Sequence, residues 1–109
     1  MVVANPTGEP QVGTGLPLAP ATVIGRAATS TIRLEDSFAS NEHAHITWRQ
    51  GQWWLEDQRS RNGTLLNGIP VQEGVVLSAG DLIEIGSVLL RFEQHGSGAE
   101  AMQITHLKD

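Results

Sequence analysis

Two short polar runs carry the residues able to do chemistry: Ser40-Asn41-Glu42-His43 and Ser60-Arg61-Asn62-Gly63-Thr64-Leu65-Leu66-Asn67-Gly68. A third, Gly25-Arg26, precedes both. Each lies at the end of an apolar, strand-like run, where loops from different strands can converge on one spot. Serine hydroxyls, asparagine amides and arginine guanidinium groups are the donors that a phosphate dianion needs. Short donors on rigid loops supply them without the entropic cost of ordering long, flexible chains.

The elements that must position these loops are short. Strands are expected over Met1–Ala4, Thr22–Ile24, Thr31–Leu34, Ala44–Trp48, Gln52–Asp57, Thr64–Leu66, Ile69–Val71, Val75–Leu77, Asp81–Ile85 and Ser87–Phe92. A Pro-interrupted segment over Leu16–Ala21 could hold an edge strand at most. Asn67-Gly68 is the strongest hairpin signal; Gln50-Gly51 and Gly86 are further turns. Adjacent Trp53 and Trp54 must point to opposite faces of their strand. No segment has a helical period. Many short strands punctuated by Gly, Asn and Pro predict an all-β fold, an antiparallel sandwich of two twisted sheets with its ligand loops at one end. The domain is expected over residues 1–94, with a short first strand and a flexible loop within 1–15. Residues 95–109 are expected to form a flexible tail or linker after Gly96-Ser97-Gly98.

Composition bounds the function. A chain of 109 residues holds one domain with a single core. There is no cysteine, which removes disulfides, zinc–cysteine sites and thiol chemistry. The net charge of −5 argues against general nucleic-acid binding. No apolar run reaches the ~20 residues of a membrane span, so no membrane insertion is expected. Six of the seven basic residues are arginine (26, 33, 49, 59, 61, 91), and Lys108 is the sole lysine. Arginine is the better fork for phosphate, although composition alone decides nothing.

From about Val23 to Phe92 the chain resembles the forkhead-associated (FHA) domain, a β-sandwich module that binds phosphothreonine peptides. The landmarks are Gly25-Arg26, Ser40-x-x-His43, Asn62-Gly63-Thr64, Asn67-Gly68 and Leu77-Ser78-Ala79-Gly80-Asp81-Leu82-Ile83, in the family's order. The resemblance implies that Arg26 makes a charged contact to the phosphate and that Ser40 donates its hydroxyl to it. Asn41 would give an amide where many members have Arg. His43 would be structural, bonding across the loops. Asn62 would bond the peptide backbone and Gly63 would give it room. Asn67 and Gly68 would turn the chain and brace the loop. Arg61 stands where many members have Thr; it either replaces the guanidinium missing at Asn41 or points to solvent and offers only its backbone N–H. Phe38 either packs into the core or is exposed and favours an apolar ligand residue.

The implied function is phosphothreonine-dependent protein–protein interaction downstream of a Ser/Thr kinase, in a bacterial cytoplasmic signalling protein. It involves no catalysis, no cofactor and no metal, and a monomer is expected. Two rivals stay open. One is an interaction module that binds its partner without phosphate. The other is a metal-binding enzyme using His43 and His45, with Glu42, Glu56 or Asp57 nearby. Thr7, Thr14 or Thr105 could also be phosphorylated and dock on the domain's own site or a neighbour's.

Overall fold

The computed structural model describes residues 1–6 and 8–94. Ten strands follow in chain order: β1 Val2–Ala4, β2 Ala21–Gly25, β3 Ile32–Arg33, β4 Ala44–Arg49, β5 Gln52–Asp57, β6 Thr64–Leu66, β7 Ile69–Pro70, β8 Val75–Val76, β9 Leu82–Ile85 and β10 Val88–Arg91. They form two five-stranded sheets, ordered β1-β10-β9-β6-β7 and β3-β2-β4-β5-β8. Every pairing is antiparallel except β2 with β3, which is parallel and so departs from the wholly antiparallel expectation. The Leu16–Ala21 segment gives no edge strand: β2 opens at Ala21, while Leu16 and Leu18 pack on the core. The expected tail over residues 95–109, with Thr105, lies outside the described residues, as does Thr7.

Alternation sets which face is buried. Along β4 and β5, Ala44, Ile46, Trp53 and Leu55 point inward, while His45, Thr47, Trp54 and Glu56 point outward. The two adjacent tryptophans thus part as expected: Trp53 is buried, and Trp54 is half-buried with the Arg49 guanidinium 4.8 Å from its ring centroid. Ile24, Leu55, Ile85, Val88 and Leu34 close the core between the sheets. Trp53 meets Trp48 edge-on at 5.1 Å and Phe92 at 6.4 Å between ring centroids.

The turns set register. Gln50 and Gly51 have φ of 54° and 76°, and Asn67 and Gly68 have 51° and 83°. Positive φ at both central residues is the two-residue turn whose twist matches antiparallel strands. These turns join β4 to β5 and β6 to β7. As a result, the C-terminal ends of β2 and β5, the N-terminal ends of β4 and β6, and the β9–β10 turn share one end of the sandwich.

Leu55 has no exposed surface. Replacing it with Ala is expected to cost about 2–5 kcal/mol of stability. The check is a urea melt: the midpoint should fall with an unchanged slope, because the core loses packing but the fold persists.

Candidate functional site

At that end, the residues after β2 lock onto the Ser40–Asn41 loop by backbone bonds. Arg26 N–H donates to the Ser40 carbonyl at 2.9 Å, and Ala27 N–H to the Asn41 carbonyl at 3.2 Å. His43 N–H returns to the Ile24 carbonyl at 2.9 Å. The approach is so close that a Cβ at Gly25 would overlap the Asn41 carbonyl. Glycine at position 25 therefore follows from space rather than from its backbone angles.

His43 is fully buried and joins two loops. Its Nδ1 accepts from the Ser40 N–H at 3.0 Å, and its Nε2 lies 2.8 Å from the Gly63 carbonyl. A carbonyl cannot donate, so Nε2 carries the proton and the ring is the neutral Nε2–H tautomer. The bracing role expected of His43 is therefore visible in the structure. The same bonds bear on the metal reading, since neither ring nitrogen of His43 is available to a metal. His45 Nε2 is buried without a hydrogen bond, 3.6 Å from a Glu42 carboxylate oxygen. Among the described residues, no group of three or more His, Asp or Glu is placed to hold a metal ion.

The second loop has its own brace, which the sequence reading missed. Asp57 accepts from the Ser60 hydroxyl at 2.5 Å, the Thr64 hydroxyl at 2.7 Å and the Ser60 N–H at 3.1 Å. Ser60 Oγ in turn accepts from the Gly63 N–H at 2.9 Å. Burial pushes the Asp57 carboxyl up, but the bonds from Ser60 and Thr64 outweigh it and leave the pKa below its ordinary value. The available signal was the spacing Asp57-x-x-Ser60, which suits a side chain that caps its own turn. No other atom of the chain lies within 4 Å of where a Cβ of Gly63 would be. Gly63 supplies a φ of 81°, which aims its N–H and carbonyl at Ser60 and His43.

Asn67 and Gly68 need correction. They sit at the far end of β6 from this site and do not brace its loops. The Asn67 side chain instead donates to Asp81 Oδ1 at 3.1 Å and accepts from the Leu82 N–H at 2.9 Å, tying the β6–β7 turn to β9.

A third loop completes the site. Asp36 is buried and accepts from the Ser87 N–H at 2.6 Å, while its carbonyl accepts from the Ala39 N–H. A Cβ at Gly86 would overlap the Asp36 carboxylate. The turn draws Ala39 inward, to 2% exposure, and leaves Phe38 outside at 59%. Core packing of Phe38 is thereby overturned.

Arg26, Ser37, Phe38, Ala39, Ser40, Asn41, Arg61 and Asn62 line a concavity of about 200 Å³. All five residues expected to grip a ligand are therefore brought together. Their acceptors are largely spent. The carbonyls of Ser40 and Asn41 are bonded to the chain after β2, and the Phe38 carbonyl accepts from Asn62 Nδ2 at 2.7 Å. Ser40 Oγ accepts from the Arg61 N–H at 3.0 Å, which leaves its proton to donate. No carboxylate lines the concavity. Among the described residues, Arg33, Arg49 and Arg91 have carboxylate partners, and Arg26, Arg59 and Arg61 have none. The result is a donor-rich, cationic hollow on an acidic chain, suited to an oxyanion. The bond from Asn62 to the Phe38 carbonyl uses one of its two amide N–H groups and leaves the other, with the side-chain oxygen, to the hollow.

Because the Asp57 pKa is lowered on folding, its contribution is fully present above its ordinary value of 3.8 and is lost as pH falls through the folded value. Asp57→Ala is expected to lower the melting temperature at neutral pH. The gap to wild type should narrow below about pH 4. Parallel melts across pH check this; a gap independent of pH would remove the carboxylate from the account.

A family model for the FHA domain matches residues 22–86. The FHA domain-containing protein FhaB of Mycobacterium tuberculosis is 38% identical over 68 residues, which is 62% of this chain and 44% of FhaB. The chain thus spans less than half of that relative's length. Mycobacterium tuberculosis EmbR in complex with a low-affinity phosphopeptide superposes with a TM-score of 0.72 at 34% identity, covering 77% of this chain and 24% of EmbR. The N-terminal FHA domain of S. cerevisiae Rad53p, in complex with a phosphothreonine peptide, gives a TM-score of 0.58 at 32% identity, covering 63% of this chain and 62% of that one. The match over more than half its length, on the sandwich and loops described above, makes this chain a member of the FHA domain family.

Proposed function

We propose that this chain reads phosphothreonine peptides and so links partners under the control of a Ser/Thr kinase. One observation carries the reading. Loop carbonyls that could repel an anion are consumed by other loop groups, while the donors of Arg26, Ser40, Asn41 and Arg61 face one hollow. The Rad53p and EmbR structures, which hold phosphopeptides, support it. A binding role calls for no catalytic group. Among the described residues no helix is long and apolar enough to cross a membrane. A cytoplasmic setting, such as Ser/Thr kinase signalling requires, completes the proposal.

The roles divide by chemistry. Arg26 supplies a charge-assisted bond to the phosphate, the Ser40 hydroxyl a second bond, and the Asn41 amide a third. Arg61 replaces the charge that an arginine at position 41 would give. Its backbone N–H already belongs to Ser40, so what it offers a ligand is the guanidinium. Phe38, exposed beside the hollow, favours an apolar residue on the peptide. Threonine is preferred to serine by roughly the 1 kcal/mol of one buried methyl.

A calorimetric titration with matched peptides tests this reading. The phosphothreonine form should bind and the unmodified form should not. Arg26→Ala and Ser40→Ala should each weaken binding by roughly 10- to 100-fold, as expected for a lost hydrogen bond to a charged group. Equal binding of both peptides would establish a phosphate-independent module instead. Arg61→Ala should weaken binding by roughly 5-fold or more, with a reduced salt dependence. Unchanged affinity would confine Arg61 to its backbone role.

A further inference from the structure

The outward face of the β1-β10-β9-β6-β7 sheet is unusually apolar. An antiparallel sheet with one solvated face normally presents polar residues there. Here the inward positions are Thr64, Leu66, Ile83, Ile85, Val88 and Leu90, all buried or packed on the core. The register then places Ala4, Leu89, Glu84, Leu65 and Pro70 in one outward row across all five strands. The next row pairs Arg91 with Leu82. Leu65, Leu82 and Leu89 are each half-buried, leaving apolar surface in contact with water.

Charge sits on this face in a particular pattern. Leu89 pairs with Glu84, and Arg91 with Leu82. In this block of four, the leucines occupy one diagonal and the two opposite charges the other. Such a block is complementary to itself. A two-fold axis along the leucine diagonal lays Leu89 on Leu89 of a second copy, Leu82 on Leu82, and Glu84 on Arg91. With residues about 4.8 Å apart across strands and about 6.8 Å along them, the strands of the two copies would cross at about 70°, near the orthogonal class of sheet packing. Arg91 also lies 3.5 Å from the Glu93 carboxylate of its own chain, so it would bridge that group and Glu84 of the second copy. The four residues of the block carry no net charge, on a chain that carries −5, and their pairing brings opposite charges together.

We propose that this face is a self-association surface, and that the chain forms a symmetric dimer across Leu65, Leu82, Glu84, Leu89 and Arg91. The monomer expected from sequence is the alternative. An isologous contact of this kind is the commonest symmetry for a soluble assembly. The hollow lies at the end of the sandwich, on the loops before β4 and β6, whereas the proposed contact lies on the outward face of one sheet, so both hollows stay open. The assembly presents two ligand sites and gains avidity for partners with two phosphorylated segments.

Sedimentation equilibrium on this chain from about 10 µM to about 1 mM tests the proposal, since a small interface associates in that range. The wild type should approach twice the monomer mass. Leu89→Glu should stay monomeric while still binding its phosphopeptide, which shows that it folds. Glu84→Arg and Arg91→Glu should each weaken association at least 5-fold, and the double reversal should restore it because the charges face each other. A wild type that stays at monomer mass at the highest concentration overturns the proposal. So does a dimer indifferent to Leu89→Glu, or single reversals that the double does not rescue.

Discussion

The bridge from Ser40 N–H through the His43 ring to the Gly63 carbonyl is what the remainder of the site depends on. It joins the loop before β4 to the loop before β6, and so joins one sheet to the other. It is buried, so losing the ring would strand a donor and an acceptor away from water, at about 1–3 kcal/mol each. Around it the bonds close into a circuit. Asp57 holds Ser60, Ser60 holds Gly63, Gly63 holds His43, and His43 holds Ser40, whose hydroxyl receives Arg61 N–H. No member can move far without its neighbours.

This circuit explains how short loops on an acidic chain can attract an anion. Backbone carbonyl oxygens left unpaired at an exposed turn repel phosphate. Here they point into the bracing contacts with the chain after β2 and with Asn62. The donors that remain are aimed before any ligand arrives. Preorganisation of this kind spares the ordering cost that otherwise offsets charged contacts. Asn41 and Arg61 both line the hollow; in the proposed reading Arg61 supplies, from the neighbouring loop, the charge that Asn41 lacks.

Much of this was legible in the residue order. Alternation fixed the faces of β4 and β5, Asn-Gly marked the β6–β7 hairpin, and the resemblance placed Arg26, Ser40, Asn41, Arg61 and Asn62 at one site. What the order could not show depends on contacts between distant residues. The direction of Phe38 follows from Asp36 bonding to Ser87, which is 51 positions away. Gly63 was legible as a residue of the loop, but its φ of 81° is a property of the folded chain. Asn67-Gly68 was recognisable as a turn, but the strand direction that carries it away from the site is a property of the sheet. Asp57 stood in plain sight in the sequence and entered the reading only as a possible metal neighbour, because its hydroxyl partners are ordinary residues.

The measurement closest to the central claim is a two-dimensional NMR titration of the labelled chain with a phosphothreonine peptide and its unmodified twin. The account predicts shifts concentrated at the amides of Arg26, Ser40, Asn41, Arg61 and Asn62 and at the arginine side-chain N–H groups, with the phosphorylated peptide alone. Shifts that lie elsewhere on the sandwich, or that both peptides produce equally, would contradict it.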